Sequence, residues 1–245
     1  MKIIPLSEGT FTIDKTKLFV PFDQSTDELQ QRPTGSLLVE VQPFVVITSE
    51  DVLLLDTGLG FTTPEGRLQL HENLINNGIN PAEITKVLMS HLHKDHAGGV
   101  SNPDLASGLL SFPQATWYIQ RKEFEFAFEK GFPSYIPEEL EALRNAPQVT
   151  WLDGNGVIGG YIKHEITAAH SPWHQVFWIV DAGEKVFFGG DDAPQLQQMR
   201  SRFVAKYDYD GKKCMELRQQ WWKQGEEEKW TFLFYHDVKN PVWRF

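Results

Sequence analysis

The chain has 245 residues, 41% hydrophobic and 23% charged, enough for one domain with a real core and ordinary for a soluble globular protein. Acidic residues outnumber basic ones 33 to 23, a formal net charge of −10, which argues against broad attraction to nucleic acid or an anionic membrane. The single cysteine, Cys214, cannot close an internal disulfide, the N-terminus lacks the apolar run of a secretory signal, and no stretch reaches membrane-spanning length, so a cytoplasmic protein is expected.

Without repeats or long linkers, residues 1–245 are expected to form a single domain, with 1–35 an N-terminal extension of it that extends a sheet, closes a pocket or meets a second copy in a homodimer. SLLVEVQPFVVIT and DVLLLDTG are strand-like, rich in Val, Leu and Phe. A helix is expected over 67–76, ending at Asn77-Gly78. ITKVLMSH is a short β-type run leading into a Gly-containing loop. QATWYIQ reads as a strand and RKEFEFAFEKG as a helix. YIKHEITAAH, QVFWIVDA and KVFFGGD read as three further strands. A helix is expected over 211–223, where Met215, Leu217, Trp221 and Trp222 approximate an amphipathic pattern. The acidic run Glu226-Glu227-Glu228 is expected to be a solvated turn, and WTFLFYHD a final strand. Strands mixed with helices in both halves suggest layered α/β packing.

The chemistry concentrates in SHLHKDHAGG. Its His-x-His-x-Asp-His order puts His91, His93, Asp95 and His96 within six residues, and imidazole with carboxylate is the donor set of zinc and related divalent metals. Strand alternation lets His91 and His93 share a face while Leu92 enters the core. Asp95 and His96 then require the loop to bend, and Gly98-Gly99 relieves backbone crowding.

SHLHKDHAGG resembles the signature of the metallo-β-lactamase superfamily. LLLDTGLG, TAAHSPWHQ, FFGGDD and FYHD resemble that family's other elements in order, so the likeness covers most of the chain. It implies an α/β fold, the four-layer αββα sandwich with mixed sheets. It also implies two divalent metal ions, zinc first and manganese, iron or cobalt as alternatives. One ion would be held by His91, His93 and His170 and the other by Asp95, His96 and His236. Asp191 would bridge them, chosen over Asp192 because the family's ligand directly follows the glycine matching Gly190. Asp56 would orient a ligand or loop from behind, and His174 would make structural hydrogen bonds. Hydroxide generated between the metals would attack a carbonyl carbon or phosphorus, with Asp95 or a water returning the proton.

Outside these motifs, His71 and His164 are expected to be ordinary surface or satisfied core residues. Cys214 is expected to be an incidental or buried thiol. Trp173 lines the substrate pocket or simply packs. DTGLGF followed by NNGINPAEITKVLMSHLHKDHAGG, and the late KYDYDGKKCMELRQQWWKQ, are similar to the lactonase and methyl-parathion-hydrolase-like branch, pointing to a small-molecule ester, lactone or phosphotriester. The tyrosine that acyl-homoserine lactonases commonly carry after the bridging aspartate is replaced by the stretch from Asp192 to Gln195. The alternatives are a glyoxalase II-like thioesterase, a mononuclear-iron sulfur dioxygenase and a non-catalytic metal-binding member.

Overall fold

The computed structural model describes residues 1–101 and 109–245. Two six-stranded sheets lie face to face. In spatial order the first contains Lys2–Pro5, Phe44–Ile47, Val52–Leu55, Lys86–Leu88, Thr116–Gln120 and Val149–Leu152. The second contains Gly156–Ile158, Ile162–Ile166, Gln175–Asp181, Glu184–Phe188, Thr231–Leu233 and Val242–Arg244. Both are mixed: Val52–Leu55 through Val149–Leu152 run parallel, as do Glu184–Phe188 and Thr231–Leu233, and the other pairs are antiparallel.

Strand alternation sorts the core into three interfaces. Phe44, Val46, Leu53 and Leu55 point inward and meet Phe177, Ile179 and Phe188 of the opposite sheet. The intervening Val45 and Leu54 point outward, under Leu70 and Leu74 of helix Gln69–Asn76 and near Phe124 and Ala127 of helix Arg121–Lys130. On the far side, Val176, Trp178 and Phe187 pack with Trp221 of helix Gly211–Glu228. Every one of these side chains is buried, each worth roughly 1.5–3 kcal/mol for a large aliphatic or aromatic group. The layers are helix, sheet, sheet, helix, as expected.

Several details differ from the sequence reading, and WTFLFYHD is not the final strand: only Thr231–Leu233 of it is extended, and Val242–Arg244 follows and pairs with it. SLLVEVQPFVVIT breaks at Gln42-Pro43: Pro43 has no N–H for a ladder, and the Gln42 side chain donates instead to the carbonyls of Phe234 and Asp237. Its first half, Leu37–Val41, joins Gly9–Ile13 and Val20–Pro21 in a separate three-stranded sheet. The last helix is capped by Asp210, whose carboxylate accepts from the Lys213 N–H, and runs past 223 to Glu228. It survives Gly225 because a Cβ there would lie 2.3 Å from the Phe232 ring, so the missing side chain makes room for a core aromatic. Glu226–Glu228 are exposed, but as the helix's last turn.

Candidate metal centre

The parallel strands end at one edge of the sandwich, and the loops and turns that leave them there assemble the site. After Val52–Leu55 comes Asp56; after Lys86–Leu88 come His91, His93 and the short helix Lys94–Ala97 carrying Asp95 and His96. The loop after Ile162–Ile166 brings His170, the turn Gly190–Asp192 brings Asp191, and the turn after Thr231–Leu233 brings His236. The loop at 91–98 can bend this tightly because Gly98 lacks a Cβ, which would lie 2.3 Å from the Leu59 carbonyl oxygen.

Asp191 sits at the centre of the cluster. Its Oδ2 faces His170 Nε2 at 3.1 Å and His91 Nε2 at 4.0 Å. Its Oδ1 faces His96 Nε2 and His236 Nε2, both at 3.0 Å. His93 Nδ1 lies 3.1 Å from His170 Nε2, and Asp95 Oδ2 lies 3.4 Å from His236 Nε2 and 3.7 Å from His96 Nε2. Donor atoms of His91, His93, His170 and Asp191 converge as one group, and those of Asp95, His96 and His236 as another. His91 Nε2, His96 Nε2 and Asp191 Oδ1 are buried and make no hydrogen bond. Such orphaned atoms are costly, and converging imidazole lone pairs beside a carboxylate fit a divalent cation.

The far nitrogen of most of these histidines is committed elsewhere, which leaves Nε2 as the free donor. His96 Nδ1–H donates to Asp56 Oδ2 at 2.7 Å, and His236 Nδ1–H to the Glu40 carbonyl at 2.6 Å. His170 Nδ1–H donates to Asp208 Oδ1 at 2.8 Å. Ser90 Oγ–H donates to Asp56 Oδ2 while its oxygen faces His91 Nδ1 at 3.0 Å. Asp56, Ser90 and His96 thus form one buried knot, and both Asp56 oxygens are used within it. His174 lies behind the site: Nδ1 faces Asp192 at 3.0 Å, and Nε2 accepts the Asp191 backbone N–H at 3.2 Å. Gly190 lets this turn close, with φ +48° and no Cβ to strike His174 and Ser90.

Electrostatically the protein alone holds this cluster as a proton reservoir. Burial disfavours charge on every member, yet for His96 and His170 it is outweighed by Asp191, and both rise above the ordinary imidazole value. His236 is pushed up to about 9, again with Asp191 overcoming burial. Burial also opposes ionisation of the carboxylates, but His96 holds Asp95 at about 2, and His236 with His96 holds Asp191 well below the usual range. His91 and His93 go the other way, depressed by burial and then by neighbouring imidazoles. Divalent cations entering here would displace protons from the raised histidines.

A sequence profile described as the metallo-beta-lactamase superfamily matches residues 39–221. The chain belongs to the metallo-β-lactamase superfamily. Along most of its length it is 23% identical to an N-acyl homoserine lactonase of Bacillus thuringiensis, over 92% of this chain and 94% of the relative. It is 30% identical over 113 residues to the N-acyl homoserine lactonase AttM of Agrobacterium fabrum, 42% of this chain and 38% of the relative; the match spans about two fifths of the AttM length. A probable metal-dependent hydrolase from Staphylococcus aureus superposes with a TM-score of 0.80 at 20% identity, over 99% of this chain and 91% of that one. The dizinc quorum-quenching lactonase AidC, solved with a product bound, superposes with a TM-score of 0.74 at 19% identity, over 98% and 88%.

Within this superfamily fold, a cavity of about 480 Å³ opens above the histidines. His93, Asp95, His170, Asp191 and His236 form its floor. Ile13, Phe19, Leu37 and Val39 form a wall, contributed largely by the small N-terminal sheet. Within the first 35 residues, Lys2–Pro5 adds a strand to the first sheet, and Ile13 and Phe19 line the pocket. Trp173 is not among the lining residues; its ring stacks beneath Lys122 Nζ at 4.5 Å. It sits in the turn that follows His170. His71 lies 3.0 Å from the Ser111 carbonyl, and His164 is buried in strand Ile162–Ile166. Cys214 is buried against Asp192.

The sequence reading misses Asp208, Glu40 and Tyr207. Asp208 is visible only as part of an Asp-x-Asp ahead of the last helix, with no local signal that it reaches His170. Glu40 acts through its backbone carbonyl, which no side-chain pattern can flag. Tyr207 enters the cavity from the same late loop as Asp208.

Proposed function

We propose that this protein is a metal-dependent hydrolase of ester or lactone bonds that works with two divalent ions, zinc being the natural fit to an imidazole-rich set. His91, His93 and His170 would hold one ion, Asp95, His96 and His236 the other, with Asp191 between them. The observation that carries this reading is the division of Asp191: one oxygen faces His170 and His91, the other His96 and His236. A single-ion site has no need of the second group. When bound, a metal pair supplies a water acidic enough to ionise near neutral pH and polarises the oxygen under attack.

The chain's own residues supply the rest. Asp56, Asp208 and the Glu40 carbonyl hold three rings in position, so little reorganisation is required when substrate arrives. Asp95 is ionised, borders the cavity, and can take a proton and pass it to the departing alkoxide. Tyr207, partly exposed in the cavity, keeps its phenolic proton: partial desolvation and then Asp208 and Asp191 raise its pKa. It can donate to oxygen on the reacting carbonyl, the duty that the missing tyrosine after Asp191 would have had. The apolar wall excludes water from the acyl portion and suits an ester or lactone with a hydrocarbon segment.

Elemental analysis of the purified protein should find about two equivalents of metal per chain. A panel of lactone, aryl ester, thioester and phosphotriester substrates should show turnover on the first two. Both His93→Ala and Asp191→Ala should abolish it, and turnover kept by both variants would overturn the reading. Iron at one equivalent, with oxygen consumed on a persulfide, would favour the dioxygenase alternative; preference for the thioester would favour the glyoxalase II-like one.

A further inference from the structure

The cavity wall carries cations that the proposed hydrolysis does not use. Lys15, Lys17, Lys94 and Lys206 all line it. This is unexpected in a chain with ten more acids than bases. Among the described residues, the lysines that form salt bridges are Lys86, Lys163, Lys185 and Lys212, none of them at the cavity. The carboxylates near the cavity lysines are committed or neutralised. Asp14 accepts from both the amide and the hydroxyl of Thr16. Asp95 and Asp191 belong to the histidine cluster, and divalent ions there would compensate them. Glu139, close enough to Lys94 to feel its charge, is mostly withdrawn from water and makes no salt bridge with it.

Two of the four lysines are positioned by the structure. Lys17 adopts φ +60°, unusual for a residue with a side chain, in a turn closed by its N–H on the Asp14 carbonyl. Its ammonium lies 5.7 Å from the centre of the Tyr207 ring. Lys94, between His93 and Asp95, places its ammonium 5.9 Å from the centre of the Phe19 ring. Tyr207 and Phe19 both line the cavity. Lys94 also lies 5.8 Å from the centre of the exposed Phe132 ring, so it sits at the cavity mouth between two aromatic rings, whereas Lys17 is placed beside Tyr207 on the wall.

We propose that the natural substrate is an ester or lactone bearing an anionic group, a carboxylate or a phosphate, received by Lys17 and Lys94 while the reacting bond lies over the histidines. This rests on the hydrolase reading and narrows its substrate class. The apolar strip of Ile13, Leu37 and Val39 would cover the hydrocarbon between the two polar ends. A neutral acyl-homoserine lactone has no group for the lysines, so it would be a poor substrate.

Three matched esters test this on the metal-loaded protein: para-nitrophenyl valerate, its analogue ending in a carboxylate, and its analogue ending in a phosphonate. At low salt, kcat/KM for the better charged ester should exceed that for valerate by about tenfold or more, and the advantage should shrink as salt is added. Whichever charged ester leads identifies the anion. The ratio should fall toward one in Lys17→Gln and in Lys94→Gln, recover in Lys17→Arg, and stay unchanged in Lys163→Gln, a lysine on the Trp178 face far from the cavity. Titration calorimetry of glutarate against valerate should show glutarate binding more tightly, with the difference lost in the same two variants. Ester turnover with neither a charged-substrate preference nor tighter glutarate binding would overturn the substrate class and leave the hydrolase reading standing. Lysine-dependent glutarate binding without turnover of any ester would overturn the hydrolase reading, and the ester class with it, and leave only an anion-binding site at the two lysines.

Discussion

The floor and the wall of the cavity are built on opposite principles. In and directly beneath the floor, Asp95, Asp191, His91 and His96 are at least seven-eighths withdrawn from solvent at the side chain, and most imidazoles are tied from behind. The apolar part of the wall lies on and beside a small sheet, mostly half-exposed, and among the described residues none of the wall's lysines forms a salt bridge. A floor so constrained fixes where the chemistry occurs, whereas the wall is free to choose what reaches it. That division is how one fold serves many substrates: the reacting geometry is carried by strand ends and the specificity by what is laid over them.

The comparison breaks most decisively at Asp191. Asp191→Ala removes both oxygens that the two histidine groups share, so metal content should fall and turnover should drop by more than about a hundredfold, the upper range for losing a mere supporting residue. If elemental analysis showed full metal content and turnover stayed near wild type, the floor would not be a shared two-ion site. Asp208→Ala leaves every donor in place but frees His170 Nδ1. A loss of about 10- to 100-fold in metal affinity or turnover is expected, with partial recovery in Asp208→Asn, which can still accept from the ring.

Glu8 probes the floor from beneath. It is buried under the Asp56–Gly60 loop, where its Oε2 accepts the Leu59 N–H at 2.6 Å and its Oε1 has no partner. Burial pushes its pKa up to about 8 from 4.5. The folded protein therefore holds a proton that the unfolded chain has released between those values. Its stability contribution is full below about pH 4.5 and is lost as pH rises through about 8, at up to roughly 1.4 kcal/mol per pH unit. Glu8→Gln should flatten that slope in denaturant titrations of metal-free protein from pH 5 to 8. An unchanged slope would mean that Glu8 is ionised when buried.

Legibility in the sequence divides along the same line. SHLHKDHAGG is local, so its donors are visible as a spacing. His170, Asp191 and His236 become readable only as an ordered set, because each sits alone after its strand. Asp56 and His174 carry only the family likeness in the sequence, and in the fold both lie behind the histidine cluster. Asp208 is not readable: 38 residues separate it from His170, and nothing in KYDYDG distinguishes the aspartate that turns inward from Asp210, which caps the helix. The wall is hidden for a further reason. Ile13, Phe19, Leu37 and Val39 meet only because the run after Ser36 divides at Pro43 and sends its first half to a separate sheet. Continuous hydrophobicity across residues 37–47 conceals that division.

Trp173 marks where the wall ends, and there the smallest effect is expected. Its position three residues after His170 suggests a pocket role, but a turn begins at Ser171 and carries the ring to Lys122 on helix Arg121–Lys130. The ring is half-buried and makes a cation–π contact worth about 0.5–1 kcal/mol at exposed sites. Trp173→Ala should therefore lower stability slightly and leave kcat/KM for any ester within about twofold, the range of a surface change away from a site. A rise in KM of tenfold or more with kcat preserved would show that the substrate extends past the cavity to this ring. In that event the wall would have to be redrawn to include the turn from Ser171 to His174, and the part of the molecule that selects substrate would lie on both sides of the histidines instead of chiefly on the N-terminal sheet.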